Sequence, residues 1–217
     1  ITRTFSNLTY GARNNVKSLI QWDPEHYMNV WVVKTIEQFD PDGGTVLGFA
    51  QFPNQLFSDS ETDGIVLRHD YCGSIESASA NYGRTLTHEA GHWLNLRHIW
   101  GDDDCGDDNI DDTPTGKEPN YGVCDSNGDG AGGDFPYSPT VGACSASPGQ
   151  TITQSSGEMF MNYMDYSDDF CMNMFSLGQG ESMRSAITSY RNNLTTEANL
   201  IATGTNDDYI IVDCTPI

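Results

Sequence analysis

Three histidines and one glutamate stand close together in the segment HEAGHWLNLRH, which runs from His88 to His98. On an α-helix, residues four apart lie on the same face, so His88 and His92 can direct their rings at one point. Glu89 lies beside the first histidine, where its carboxylate can reach a water at that point without being a ligand itself. These residue types at this spacing predict a zinc site with a general base next to it.

A third ligand requires a turn in the chain. His98 follows His92 by six residues, so it would point away from the shared face if the helix continued. Asn95 lies between them, and after glycine it is among the residues that most readily enter the left-handed conformation. We therefore predict that the helix ends near Leu94 and that His98 returns to the metal.

Apolar segments on both sides of this motif supply the elements that must position it. The pattern predicts three strands, at Met28–Ile36, Leu47–Phe52 and Gly64–His69. It predicts one helix from about Tyr82 or Arg84 to Leu94, which carries the first two histidines, and another from about Leu177 to Asn193. Together they predict an α+β fold, a mixed sheet with helices packed on it.

Apolar residues within these elements indicate which faces are buried. In the histidine-bearing helix we expect the face that packs on the sheet to consist of Leu86, Ala90, Trp93 and Leu94. In the later helix we expect a core stripe made of Met183, Ile187, Tyr190 and Leu194. A short helix through Val16, Leu19 and Ile20 and a strand at Tyr209–Val212 complete the predicted elements.

The net charge of −21 indicates which partners are unsuitable. Nucleic acid and anionic membrane surfaces would both be repelled, so we expect neither. No apolar run approaches 18 residues, which argues against a membrane span. The chain begins with Ile1 and has no basic segment followed by an apolar one, so we expect any signal peptide and propeptide to have been removed or omitted.

An acidic stretch rich in Gly, Asn and Thr follows His98, and this is the ligand chemistry of calcium. In Asp107–Pro114 the candidate calcium ligands are Asp108, Asp111, Asp112 and Thr113. In the segment DSNGDG they are Asp125, Asn127 and Asp129. An EF-hand is disfavoured because Pro136 stands where the bidentate Glu would be needed. The alternative is a solvated acidic loop with no bound ion.

The six cysteines form an even set without a CxxC pair. That disfavours a cysteine zinc site and favours up to three disulfides, hence an oxidising, extracytoplasmic setting. Six cysteines allow fifteen pairings, and composition selects none of them.

The extended histidine motif resembles that of the metzincin zinc endopeptidases, HExxHxxGxxH followed later by a Met-turn. Asn95 stands where that clan usually has Gly. The segment NYMDYSDD offers Met164 for the Met-turn and Tyr166 as a phenol near the metal. Ile99 after the last histidine, the DDTP segment and FCMNMFSLGQ make the chain similar to the pappalysin family, also called the ulilysin or cytophagalysin group.

This resemblance implies a role for each matching residue. His88, His92 and His98 would bind zinc, and Glu89 would polarise the water and pass its proton to the leaving amine. Tyr166 would stabilise the tetrahedral intermediate, with Met164 beneath the ligands. An acidic residue after the Met-turn would favour cleavage before Arg or Lys; Asp169 matches that position, and Asp168 could compete for the role.

The resemblance also implies an architecture. It predicts one metallopeptidase catalytic domain with an upper part at about 1–98 and a lower part at about 99–217, the lower part stabilised by disulfides and calcium. The implied disulfides are Cys105–Cys144 and Cys124–Cys171, which leaves Cys72 and Cys214 for each other. The strand around Ile65–Asp70 would form the cleft edge, where a peptide could add as an extra strand. Family members are typically kept latent by an N-terminal propeptide.

We therefore expect a secreted, monomeric zinc endopeptidase that acts on protein or peptide substrates. A catalytically inactive, calcium-stabilised binding or adhesion module with the same fold is an alternative. The intact Glu89 speaks against it, since loss of the base is the simplest route to an inactive site. A zinc hydrolase with a non-peptide substrate is a third reading, which the Met-turn disfavours.

Overall fold

A computed structural model of the chain describes residues 5–38, 44–53, 60–78, 81–103, 105–116, 118–121 and 159–206. The strands in these ranges are β1 (Val30–Val33), β2 (Gly48–Ala50) and β3 (Ile65–Arg68), and the α-helices are α1 (Arg84–Trp93), α2 (Leu177–Tyr190) and α3 (Glu197–Thr203). These elements make an α+β fold, as predicted. The calcium candidates Asp125, Asn127 and Asp129 and the predicted strand Tyr209–Val212 lie outside the described residues.

The described strands form one mixed sheet in the order β1-β3-β2. β1 runs parallel to β3, with Val30 opposite Ile65, and β2 runs antiparallel to it, with Ala50 opposite Ile65. All three strands were predicted, with somewhat longer bounds. The prediction that the segment Ile65–Asp70 forms the cleft edge is wrong, because β3 is paired on both sides. In the described part of the sheet, β2 is the edge strand next to α1.

Burial along the strands explains this order. β3 buries Ile65, Val66 and Leu67 completely, as a strand between two neighbours must. β1 alternates, with Trp31 and Val33 buried and Val30 and Val32 exposed. The upper core cluster consists of Ala12, Val16, Trp31, Val33, Ile36 and Val66. Val16 reaches this cluster from a short 3-10 helix, Asn14–Leu19, where an apolar helix was predicted.

α1 packs against β2 and β3. Its first residue follows Gly83, which is left-handed and offers no side chain to cap the helix. Trp93 is buried as predicted, whereas the expected apolar face at Leu86, Ala90 and Leu94 is only half-buried. The polar residues of the motif take up the buried side instead, which apolar periodicity could not indicate.

α2 begins with a capping box, in which the Ser176 hydroxyl accepts from the Gln179 N–H and the Gln179 side chain accepts from the Ser176 N–H. Its fully buried side carries Gln179 and Ala186. The predicted core stripe is therefore only partly correct: Met183 packs against the lower core, but Tyr190 is exposed. The lower core cluster consists of Leu96, Ile99, Trp100 and Met164.

A buried ion pair joins the end of α2 to the sheet. Arg191 makes two hydrogen bonds to the carboxylate of Asp63, at 2.7 and 2.8 Å, and both side chains are almost completely inaccessible to solvent. Arg191 also donates from Nε to the Trp93 carbonyl at 3.2 Å, and Trp93 Nε1 donates to Asp63 at 3.1 Å. The network ties Trp93, the last residue of α1, to Arg191 at the end of α2 and to Asp63, two residues before β3.

The cysteines agree with the sequence analysis only in part. Cys105 and Cys171 are both disulfide-bonded; their predicted partners, Cys144 and Cys124, lie outside the described residues. Cys72 is a free, half-buried thiol, so the predicted pair of Cys72 with Cys214 is wrong. That pair rested on two leftover residues, whereas a disulfide needs Cβ atoms about 3.5–4.5 Å apart, which a count cannot establish.

Within the ranges that the structure describes, none of the helices has the length and apolar character needed to cross a bilayer.

Candidate metal centre

The end of α1 turns the chain back toward the first two histidines. Asn95 adopts φ 77, as predicted. The Leu96 N–H donates to the Gly91 carbonyl and the Asn95 N–H to the His92 carbonyl, both at 2.9 Å. This pair of hydrogen bonds around a left-handed residue is the Schellman motif. It lets His98 approach the two histidines on α1.

The three histidines predicted as ligands converge through their Nε2 atoms. The separations are 3.1 Å between His88 and His92, 3.1 Å between His92 and His98, and 3.2 Å between His88 and His98. They form the one group of three or more potential metal ligands found in the described part of the chain. Tetrahedral zinc with Zn–N bonds of about 2.0–2.1 Å places its nitrogens about 3.3–3.4 Å apart, so this triangle fits zinc closely.

The opposite nitrogen of each ring faces an oxygen. His88 Nδ1 lies 2.6 Å from the Tyr163 carbonyl, and His92 Nδ1 lies 2.7 Å from the Leu96 carbonyl. A carbonyl can only accept, so the proton of each ring is on Nδ1 and the lone pair is on Nε2. Burial lowers the pKa of His92 to about 4 and that of His88 well below its ordinary value, which keeps both rings neutral.

His98 follows the same rule with a different acceptor, the carboxylate of Asp102. The three Nε2 atoms therefore face one another across about 3 Å, with lone pairs on His88 and His92, an arrangement that a cation at the centre would stabilise. The donor set and the fixed tautomers together fit zinc. Asp102 was not among the predicted site residues, although its position four residues after His98 was a usable signal.

Glu89 is the residue that follows His88 on α1. Its side chain is buried, and Oε2 has no hydrogen-bond partner among the described residues. Burial raises the pKa of Glu89 to about 8. The carboxylate rests against Gly48 of β2: a Cβ placed on Gly48 would lie 2.9 Å from Glu89 Cγ and 3.0 Å from Oε1. The edge strand therefore touches the predicted base, which sequence analysis did not foresee.

Met164 lies fully buried below the histidines. It packs with Leu96, Ile99 and Trp100, and its carbonyl accepts from the Ile99 N–H at 3.3 Å. Its sulfur occupies the space that a Cβ on Gly91 of α1 would need. The structure thus brings the Met-turn residue under the helix that carries the ligands.

Tyr166 stands at the open side of the site and is 41% exposed. Its ring centroid lies 4.8 Å from that of His98 and 5.7 Å from that of His88. Burial of the hydroxyl, reinforced by Glu89, raises the pKa of Tyr166 above its ordinary value. The phenol is therefore protonated at neutral pH and available as a hydrogen-bond donor.

Asp169 occupies the N-terminus of α1. Its Oδ2 accepts from the Arg84 N–H at 2.8 Å and from the Tyr82 N–H at 3.2 Å, which supplies the cap that Gly83 lacks. Asp168 is exposed to solvent. Of the two acids considered for substrate recognition, one thus has a structural role that the sequence did not indicate.

The carboxylates of the first calcium segment do not gather at one point. Asp108 is buried and accepts from the Thr113 hydroxyl at 2.8 and 2.9 Å, and burial raises the pKa of Asp108 to about 6. Asp112 caps α2, accepting from the Ser176 hydroxyl at 2.6 Å. Asp111 is exposed.

Comparisons with known proteins agree with this site. A model of the family described as pregnancy-associated plasma protein-A, Peptidase_M43, matches residues 11–188. An extracellular metalloprotease of Colletotrichum graminicola is 33% identical over 154 residues, which are 69% of this chain and 48% of the relative. The chain therefore spans about half the length of that relative.

Solved structures that resemble this chain are also metallopeptidases of this kind. Mature mirolysin of Tannerella forsythia, in complex with a cleaved peptide, is 38% identical with a TM-score of 0.64, covering 91% of this chain and 67% of its own. A mutant of Tannerella forsythia promirolysin is 36% identical with a TM-score of 0.67, covering 94% of this chain and 60% of its own. With the histidine triangle and the matched segment in agreement, this chain belongs to the Peptidase_M43 (pappalysin) family of metzincin metallopeptidases.

Proposed function

We propose that the chain is the catalytic part of a secreted zinc endopeptidase. The observation that carries this is the convergence of three histidine Nε2 atoms near a buried carboxylate, one oxygen of which has no hydrogen-bond partner among the described residues. When bound, zinc would lower the pKa of a water ligand and polarise the scissile carbonyl. His88, His92 and His98 would hold it, each oriented by the hydrogen bond from Nδ1.

Glu89 is the proposed general base and acid. In its ionised form the carboxylate takes one proton from the attacking water and then gives it to the nitrogen of the leaving amine, so that the peptide bond is replaced by an acid and an amine. Gly48 lies directly against the Glu89 side chain, which limits its movement. A cation nearby favours the ionised form, which opposes the effect of burial on the pKa of Glu89.

Tyr166 is the proposed hydrogen-bond donor to the oxyanion of the tetrahedral intermediate. Its protonated phenol and its place beside the rings of His88 and His98 support this role. Met164 is proposed as the floor that keeps the histidine triangle in place.

Preference for Arg or Lys after the cleaved bond is a finer proposal. The two adjacent acids, Asp168 and Asp169, follow the Met-turn and give this region a negative charge suited to a basic side chain. Among the described residues, the hydrogen bonds that Asp169 accepts from the Tyr82 and Arg84 N–H groups both go to Oδ2. We propose that Asp169, with Asp168 as the competing candidate, selects the basic residue.

The remaining parts of the proposal concern organisation. We propose one catalytic domain with an upper part at about 1–98 and a lower part at about 99–217, acting as a monomer and kept latent by a propeptide. Promirolysin, the precursor form of a structural neighbour, supports the last point by analogy. We propose a structural calcium ion at Asp108 and Thr113. Among the described residues Asp108 accepts hydrogen bonds from the Ile110 N–H and the Thr113 hydroxyl, so a cation there would compensate its buried carboxylate.

Peptide cleavage with and without a zinc chelator tests the function. A peptide library should be cleaved only by the zinc-loaded protein, and mapping of the products should show Arg or Lys after the cut. Glu89→Gln should bind zinc with unchanged affinity yet lose turnover. A fully zinc-loaded parent protein that cleaves no peptide would refute the proposal and favour the binding-module alternative.

Specificity is tested separately from activity. Asp169→Asn should reduce the preference for a basic residue and lower the thermal stability, because the cap of α1 is weakened. Asp168→Asn is the matched control, since it removes the same charge from the adjacent, exposed position. If only Asp168→Asn abolishes the preference, the role belongs to Asp168.

A further inference from the structure

The orientation of His98 differs from that of the other two ligands. The rings of the other histidines are held by backbone carbonyls, whereas Nδ1 of His98 donates to the Asp102 side chain. A carbonyl is neutral and fixed by the chain, but a carboxylate carries a full charge and depends on one residue. His98 is therefore the ligand whose orienting hydrogen bond can be removed by substituting a single side chain.

The backbone around Asp102 is strained in a way that glycine would relieve. Gly101 and Asp102 both have positive φ, 67 and 61. At Gly101 no side chain is tolerated, because a Cβ would clash with the backbone nitrogen of Asp107. At Asp102 a glycine would adopt the same conformation without strain. An aspartate at this position has a less favourable backbone conformation than a glycine would have. We therefore look to the contacts of its side chain for the reason that aspartate is present.

The surroundings of His98 make that contact effective. The Trp100 indole stacks on the His98 ring at 4.3 Å between centroids and 5° between planes. Stacking on Trp100 fixes the plane of the His98 ring but leaves the direction of its nitrogens within that plane free. The hydrogen bond from Nδ1 to Asp102 fixes that direction.

We propose that Asp102 is a positioning residue for the metal: its carboxylate holds the proton of His98 on Nδ1, aims Nε2 at the shared point and makes that nitrogen a stronger ligand. The inference rests on the zinc site proposed above. Carboxylates that accept from a ligating histidine change metal affinity by about 10- to 100-fold in other proteins. Loss of this carboxylate should therefore weaken zinc binding by a factor in that range.

The proposal is tested by substituting Asp102 and measuring zinc affinity and folding stability separately. Zinc affinity is measured by competition with a chromophoric chelator, and the thermal stability of the metal-free protein is measured in parallel. Asp102→Gly should lower zinc affinity about 10- to 100-fold. Its metal-free Tm should stay within about 4 °C of the parent value or rise, since glycine relieves the left-handed strain.

Two further variants separate charge, geometry and folding. Asp102→Asn keeps an acceptor oxygen and tolerance of positive φ but removes the charge, so its zinc affinity should lie between those of the parent and Asp102→Gly. Asp103→Asn removes the same charge from the next, exposed residue and should bind zinc within about twofold of the parent. The absorption spectrum of the cobalt-substituted protein should change in both Asp102 variants and not in Asp103→Asn.

The outcomes distinguish this inference from the proposed function. If Asp102→Gly binds zinc within twofold of the parent, the positioning role is refuted. It is also refuted if both Asp102 variants lose zinc affinity only in proportion to a fall in metal-free Tm, which would indicate a purely structural role. A parent protein that binds no zinc would instead refute the zinc site itself.

Discussion

The contact between Gly48 and Glu89 allows the position of the proposed base to be changed without touching a proposed metal ligand. A Cβ on Gly48 would lie 2.9 Å from Glu89 Cγ and 3.2 Å from Cδ. Nonbonded carbon atoms ordinarily approach to about 3.5–4.0 Å, so Gly48→Ala must displace the side chain by roughly 0.6–1 Å. Misplacement of a catalytic group by about 1 Å costs on the order of 100-fold in rate.

We therefore expect Gly48→Ala to lower kcat by about 10- to 100-fold, which corresponds to about 1.4–2.7 kcal/mol in the activation free energy. KM and zinc affinity should change little, because Glu89 is proposed as a base and not as a ligand and the three histidines are untouched. The assay is steady-state cleavage of a fluorogenic peptide by zinc-loaded protein, with zinc content determined for each sample.

Gly44→Ala provides the matched control. Gly44 precedes the same strand, and a Cβ there meets no atom within 4 Å. This variant should keep kcat within about twofold of the parent, and the smaller freedom of its unfolded chain can stabilise it slightly. If Gly48→Ala also keeps its kcat within twofold of the parent, β2 does not hold Glu89 in position and the prediction is refuted.

Three further predictions concern single groups. Tyr166→Phe should lower kcat by about 100-fold with little change in KM, as expected for a lost oxyanion donor; an unchanged kcat in peptide cleavage would remove Tyr166 from the mechanism. Because the pKa of Asp108 is raised to about 6, this residue contributes stability that is fully present below about pH 4 and is lost as the pH rises through about 6. In calcium-free urea unfolding, Asp108→Asn should therefore flatten the fall in stability between about pH 4 and 7, and an unaltered slope would contradict the assignment. Asp63→Leu leaves Arg191 buried without its partner and should cost about 3–5 kcal/mol in the free energy of unfolding, whereas Asp63→Leu with Arg191→Met should cost less; an equal cost in urea unfolding would show that the pair is not what stabilises this junction.

Local pattern predicted the elements of this fold well. The three strands and the two longer helices were located because β-branched runs, turn residues and the Ser176 cap act over a few residues. The order of strands was not predictable in the same way. Nothing within Ile65–Arg68 indicates that both of its sides are paired, except its complete lack of polar residues before the terminal Arg68.

The site was predictable where ligands are close in sequence. His88, His92 and His98 belong to one helix and one turn, so spacing was sufficient. Contacts between distant segments were not predictable: Asp169 capping α1 and Gly48 resting on Glu89 each join residues far apart in the chain. The leftover pair of Cys72 with Cys214 failed for a related reason, since pairing depends on distance in space.

The interlocking of Gly91 with Met164 has a consequence for how this motif can diverge. The sulfur of Met164 fills the volume that even a single methyl group on Gly91 would require. A larger residue in the middle of the histidine motif would therefore have to be accompanied by a smaller one at the Met-turn, or by a shift of the helix that carries two ligands. The side chains at positions 91 and 164 would occupy the same volume, so the size of one limits the size of the other.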